Sequence, residues 1–136
     1  MIICPPAAIG MLGGGQLGRY TLVAAKLMGY RTIVVDPDPA APAGVIADEH
    51  FVASYDDAQA LDRLAAECAV VTTEFENPPA DALRRLAARV VVAPSAEAVA
   101  AAQDRIAEKA FLAGHGFAVA PYTVVAGAGD VDAAVS

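Results

Sequence analysis

Two short stretches of the sequence hold the residue types that could do chemistry. Gly13-Gly14-Gly15-Gln16-Leu17-Gly18 has the G-x-G-x-x-G spacing, in which glycines allow a tight strand-to-helix turn, close approach of the backbone to an anion, and close helix packing. Free amides at the start of the following helix, at the positive end of its dipole, form a seat for a phosphate. A merely tight turn would use Gly13, Gly15 and Gly18 in the same way. Gln16 adds a long amide side chain at the helix mouth, placed to contact a small ligand. The second stretch, Thr72-Thr73-Glu74-Phe75-Glu76-Asn77, sets two carboxylates two residues apart. Period-2 alternation puts Glu74 and Glu76 on one face of an extended chain and Phe75 on the other. Carboxylates buried without partners are costly, and beside a crevice they suit an amine or hydroxyl donor on a substrate. Asp36 follows Gly18 by 18 positions (36 − 18), near the place where an acidic side chain bonds a dinucleotide ribose.

The elements that must position these residues alternate between short β-type runs and longer Ala/Leu patterns, as βαβ units do. Residues 7–12, 31–35, 50–53, 69–73 and 90–93 read as strands. Residues 16–28, 56–67 and 80–88 read as helices, the first closed by Gly29 at C′ and the second capped by Ser54 or Asp56, with Leu61, Leu64 and Ala65 on its buried stripe. Pro37, Pro39, Pro42 and Gly44 stop both strand and helix after Asp36. The expected fold is α/β and Rossmann-like, a parallel sheet of about five strands with helices on both faces. From Ser95 the pattern turns helical as far as Leu112, residues 122–125 offer a last strand, and a new helix starts at Val131. A chain that ends inside an incipient element is expected to be part of a longer one. The reading divides it into a domain over residues 1–94 and a helical linker with the start of a further domain over residues 95–136.

Composition narrows the function classes. The 136 residues are 57% hydrophobic with no Trp, so the core is aliphatic. Nine basic against 16 acidic residues give a net charge of −7, the wrong sign for tracking a nucleic-acid backbone. Cys4 and Cys68 are too few for a disulfide framework or a metal knuckle and read as reduced thiols, Cys68 buried. No stretch approaches the ~18 to 20 apolar residues of a membrane span, and the first residues lack a basic leader. A cytoplasmic location without membrane or nucleic-acid partners is expected.

Taken together, the run from Ile9 to Arg19, Val35-Asp36-Pro37-Asp38-Pro39, Ala47-Asp48-Glu49, Thr73-Glu74-Phe75-Glu76-Asn77 and Gln103-Asp104-Arg105 with Lys109 and Phe111-Leu112 resemble one family. It is the N(5)-carboxyaminoimidazole ribonucleotide synthases, also called the ATPase subunit of phosphoribosylaminoimidazole carboxylase, of the ATP-grasp superfamily. The motifs run through positions 9 to 125 in family order. Resemblance implies a ligase that uses ATP, Mg²⁺ and bicarbonate to carboxylate 5-aminoimidazole ribonucleotide in purine synthesis, with carboxyphosphate as the intermediate. It implies that residues 1–94 are the pre-ATP-grasp domain and residues 95–136 the beginning of the ATP-grasp domain. By the same resemblance Gly15, Gln16, Leu17 and Glu74 meet the ribonucleotide, Glu76 and Asn77 sit in the matching substrate motif, and Arg105 matches an ATP-contacting arginine.

The resemblance places the metal ligands, the catalytic residues and most ATP ligands beyond Ser136, so the fragment is expected to be inactive alone. It also implies a homodimer, and leaves Asp36 to cap its turn by Asx-type bonding near Pro37. Thr73 departs from the family in standing where an aromatic residue is common. Two alternatives use the same residues. A formate-dependent glycinamide ribonucleotide transformylase shares the glycine loop and acidic strand end but is expected to carry an acid at position 16. An NAD-binding Rossmann oxidoreductase would use Gly13, Gly15, Gly18 and Asp36, leaving Glu74 and Glu76 without a role.

Overall fold

The computed structural model describes residues 2–135. Five parallel strands form one sheet: β1 (Ala8–Leu12), β2 (Arg31–Asp36), β3 (Glu49–Val52), β4 (Val70–Thr73) and β5 (Val91–Val92), in the order β3-β2-β1-β4-β5. The fold class expected from the alternating pattern is thus the one observed. Strand order reverses beside β1, between β2 on one side and β4 on the other. In open parallel sheets the crevice at such a switch point, outside the carboxyl ends of the strands, receives ligands.

Alternation along the central strands divides their side chains between two cores. Leu12, Ile33, Val35 and Val71 pack on one face with Leu61 and Leu64 of α2 (Ala58–Glu67) and Leu83 and Leu86 of α3 (Ala80–Ala87). Met11 and Val34 point the other way, to Leu22 of α1 (Gln16–Leu27) and to Ala43 of the proline-rich segment after β2. Because both faces are covered, β2 reads as a nearly unbroken apolar run. Burying each of these Leu side chains contributes about 1.5 to 3 kcal/mol. At Gly10 a β-carbon would lie 2.9 Å from both Cys68 Sγ and Leu64 Cδ1, so α2 can lie this close to β1 only over a glycine. Cys68 is buried, as expected, and burial pushes its thiol up to about 12.

Local chemistry sets the helix ends. Gly29, at φ +87, lets the chain leave α1 in the left-handed region; its N–H donates to Lys26 O at 2.9 Å and that of Tyr30 to Ala25 O at 3.0 Å, the paired bonds of a glycine-terminated helix. The cap of α2 is Asp57, whose side chain accepts from Ala60 N at 2.8 Å, rather than Ser54 or Asp56. Those two are engaged with each other, the Ser54 hydroxyl donating to Asp56 at 2.6 Å.

The chain divides into two compact units, residues 1–100 and 101–136. The helical run expected over residues 95–112 is two helices, α4 (Ala96–Gln103) and α5 (Arg105–Gly114). Asp104 takes extended backbone angles between them and accepts from Ala107 N at 2.7 Å; a short acidic side chain that bonds the backbone favours a cap over a helix interior. Ser95 caps α4 by accepting from Ala98 N at 3.2 Å. Residues 122–125 form no strand, since the described residues of the second unit contain no other strand to pair with. A 3₁₀ turn (Ala128–Asp130) leads into α6 (Val131–Ala134), where the sequence places a new helix.

Candidate functional site

The glycine loop leaves β1 at Gly13, whose φ of +97 suits glycine and whose N–H donates to Val35 O at 3.0 Å. The next amides meet two carboxylates of the chain itself. Gly14 N donates to Asp36 Oδ2 at 2.7 Å, Gly15 N to Glu74 Oε1 at 3.0 Å, and Gly18 N to Glu74 Oε2 at 3.2 Å. Two of the amides expected to face a phosphate are thus turned to the protein's own carboxylate: the anion bonded at the mouth of α1 is Glu74. Gly15 is the N-cap of α1 and no side chain caps the helix locally, so a carboxylate from just past β4 takes the Gly18 donor of the first turn together with the Gly15 amide, at the positive dipole end. The small size of the glycines serves this contact. A β-carbon on Gly15 would stand 2.5 Å from Glu74 Oε1, and one on Gly13 2.6 Å from Glu74 Cγ.

Asp36 holds the loop from the β2 side. Its Oδ2 accepts from Gly14 N and from the Tyr55 hydroxyl, both at 2.7 Å, and its Oδ1 accepts from Asp38 N at 2.8 Å. The last bond is the Asx-type cap expected near Pro37. The proline-rich segment then folds back, Ala43 N donating to Gly14 O at 2.7 Å, with Ala41 and Ala43 buried. Tyr55, in the loop after β3, completes the wall: its ring lies 4.9 Å from that of Phe75. Burial, the hydrogen bond to Asp36 and the nearby Asp36 and Glu74 charges hold its phenol well above the usual range.

The alternation expected for Glu74 and Glu76 ends with the strand. β4 stops at Thr73, residues 74–76 bend, and the Thr73 hydroxyl donates to Phe75 O at 3.2 Å. Thr73 ties this bend. Glu74 is half-buried over the loop, whereas Glu76 and Asn77 lie on exposed chain. Of the residues expected to meet the ribonucleotide, Gly15 and Glu74 are in direct contact. Gln16 and Leu17 follow on the exposed first turn of α1, and Glu76 and Asn77 continue from Glu74. Arg105 belongs to the second unit, exposed and ion-paired with Glu108.

The Ala47-Asp48-Glu49 motif is structural. Asp48 Oδ2 accepts from Thr32 N at 2.8 Å and Thr32 Oγ1 at 2.9 Å and pairs with Lys26, which holds its carboxyl below the usual range. Glu49 pairs with Arg31 and Arg63. Tyr55, which bonds Asp36 and lies against Phe75, is a residue of the candidate site that motif spacing does not reveal. The available signal was position, since every loop leaving a carboxyl strand end borders the same crevice.

A carboxylate offers about four lone-pair sites, and the two glycine amides occupy one on each oxygen of Glu74. The remaining capacity of this half-buried carboxylate can accept hydrogen bonds from an amine or hydroxyl. Among the described residues no three His, Cys, Asp or Glu side chains converge as metal ligands do. No helix among the described residues is long and apolar enough to cross a membrane.

Fold and site together define an open parallel α/β domain with a carboxylate-closed glycine loop at its switch point. The chain belongs to the ribonucleotide synthetase preATP-grasp domain family, whose model matches residues 7–103, in keeping with the resemblance drawn from its motifs. It is 45% identical over 121 residues to the N5-carboxyaminoimidazole ribonucleotide synthase of Brucella melitensis, covering 89% of this chain and 33% of that protein. The crystal structure of the Staphylococcus aureus N5-carboxyaminoimidazole synthetase complexed with ADP superposes with a TM-score of 0.89 at 38% identity, over 98% of this chain and 36% of that one. The Aspergillus clavatus N5-carboxyaminoimidazole synthase in complex with ADP and 5-aminoimidazole ribonucleotide gives 0.78 at 29% identity, over 94% and 35%. The chain thus spans about a third of the length of the curated relatives it matches.

Proposed function

We propose that this chain is the substrate-binding amino-terminal part of an ATP-dependent ligase that carboxylates 5-aminoimidazole ribonucleotide with bicarbonate in purine biosynthesis. The observation that carries the reading is Glu74, fixed by the Gly15 and Gly18 amides at the switch point with acceptor capacity to spare. Such a group would recognise the amine or ribose hydroxyls of a mononucleotide, and Gln16, Leu17, Glu76 and Asn77, all exposed, are the further contacts of this reading. The similarity to a synthase solved with this ribonucleotide supports the same choice. ATP and Mg²⁺ would be held mainly by a further ATP-grasp domain that residues 95–136 begin, Arg105 contributing to the nucleotide.

A cytoplasmic location and a homodimer belong to the proposal. The latter is supported by the apolar outer side of α1, where Leu17, Tyr20, Val23 and Leu27 are exposed. Sedimentation of the chain as a monomer at micromolar concentration would remove the dimer.

Titration of 5-aminoimidazole ribonucleotide into the 136-residue chain, followed by amide NMR, tests the substrate. Saturable shifts at Gly15 through Gly18 that Glu74→Gln weakens are expected, with no ribonucleotide-dependent ATP hydrolysis by this chain. Preference for glycinamide ribonucleotide would move the reading to the transformylase. Saturable NAD binding abolished by Asp36→Ala would move it to an oxidoreductase.

A further inference from the structure

The dinucleotide fingerprint of this chain is complete in sequence, and its three glycine-loop amides at Gly14, Gly15 and Gly18 and its acidic residue Asp36 are bonded internally. In a dinucleotide site the loop amides bond the diphosphate and the acidic residue at the end of the second strand bonds the ribose. Here the Gly15 and Gly18 amides bond Glu74, and Asp36 is buried with bonds from Gly14 N, Asp38 N and the Tyr55 hydroxyl. The two observations come from different strands and concern different halves of such a ligand. A third is steric: Ala41 of the proline-rich segment packs where a β-carbon on Gly14 would come within 2.6 Å of it.

We infer that Glu74 is a specificity residue which excludes phosphate and diphosphate ligands from the glycine loop by occupying the anion seat with the protein's own carboxylate. An incoming anion would have to displace two hydrogen bonds and then sit beside a displaced like charge. A neutral or donor-bearing group meets no such barrier, because Glu74 still has lone pairs to offer. The loop therefore keeps the geometry of a diphosphate site and has the opposite preference. Removing the carboxylate should restore the preference that the backbone geometry supports. This inference stands apart from the ribonucleotide reading, because it concerns what the loop refuses.

Titration of inorganic pyrophosphate into ¹⁵N-labelled chain tests it, with the Gly15 and Gly18 amides as reporters. The native chain is expected to show no saturable shift at either amide, whereas Glu74→Ala binds with affinity at least about tenfold greater, since a charge a few ångströms away acts strongly in a partly desolvated site. Glu74→Gln preserves the volume and removes the charge. It is expected to bind pyrophosphate more weakly than Glu74→Ala and more tightly than the native chain, and it carries the test if the alanine variant loses amide dispersion. Saturable shifts at Gly15 and Gly18 in the native chain overturn the inference, as does their absence from every folded variant. Loss of 5-aminoimidazole ribonucleotide binding without gain of pyrophosphate binding in Glu74→Ala would sink the inference and leave the substrate reading intact. The reverse outcome would sink the substrate reading alone.

Discussion

Asp36 and Glu74 grip the same glycine loop from opposite sides of β1, and the comparison separates support from recognition. Asp36 is buried and bonded by three donors. Glu74 is half-buried and takes one amide on each oxygen. The first is buried with three of about four lone-pair sites bonded, and the second is half-buried with about two sites unbonded. Two acids at equivalent strand ends thus differ by what surrounds them, the β2 side being closed by Tyr55 and the proline-rich segment.

Substitutions should split the pair. Asp36→Ala leaves Gly14 N, Asp38 N and the Tyr55 hydroxyl without acceptors; each buried orphan costs about 1 to 3 kcal/mol before water relieves it, so a total loss of about 3 kcal/mol is expected in urea unfolding. A loss under about 1 kcal/mol would mean that Asp36 is not the support. Glu74→Ala should cost only about 1 kcal/mol of stability, as loss of a helix cap does, but weaken ribonucleotide binding by about tenfold or more. Equal stability losses in the two variants would erase the distinction.

Tyr55→Phe keeps the ring against Phe75 and removes the hydroxyl, for an expected loss of about 1 kcal/mol near neutral pH. Its signature lies in the pH dependence. The folded phenol titrates above its unfolded value, so above about pH 10 the unfolded chain releases a proton that the folded chain keeps, and native stability falls as pH rises. Melts across that range should be flatter for Tyr55→Phe than for the native chain; parallel curves would detach Tyr55 from Asp36. The smallest effect belongs to Gln16→Ala, an exposed change within about 0.5 kcal/mol of native stability that should nonetheless weaken ribonucleotide binding several-fold. Unchanged calorimetric affinity would remove Gln16 from the site.

The sheet was legible in the sequence because its signals are local. Apolar runs of strand length, Gly29 ending α1, and Leu61, Leu64 and Ala65 on one stripe all survive in the structure. The site was legible in its residues and not in its pairings. That Gly15 and Gly18 serve Glu74, 59 and 56 positions away, depends on β1 and β4 becoming neighbours, which spacing within either motif does not encode. Tyr55 went unseen for the same reason. The alternation carried past Thr73 failed because a hydroxyl bond within the chain bends it there. The expected strand over residues 122–125 had composition but no partner, and a strand is defined by its partner.

The two cysteines differ in accessibility as well as in position. Cys68, buried against Gly10 with its thiol pushed up to about 12, offers almost no thiolate near neutral pH, while Cys4 is exposed. Maleimide or haloacetamide reagents should therefore modify the native chain once, at Cys4. That residue precedes β1, whose five residues carry the chain about 17 Å from the amino end of the sheet toward the glycine loop. A dye or spin label can accordingly be attached to the unaltered protein at the end of β1 remote from the glycine loop.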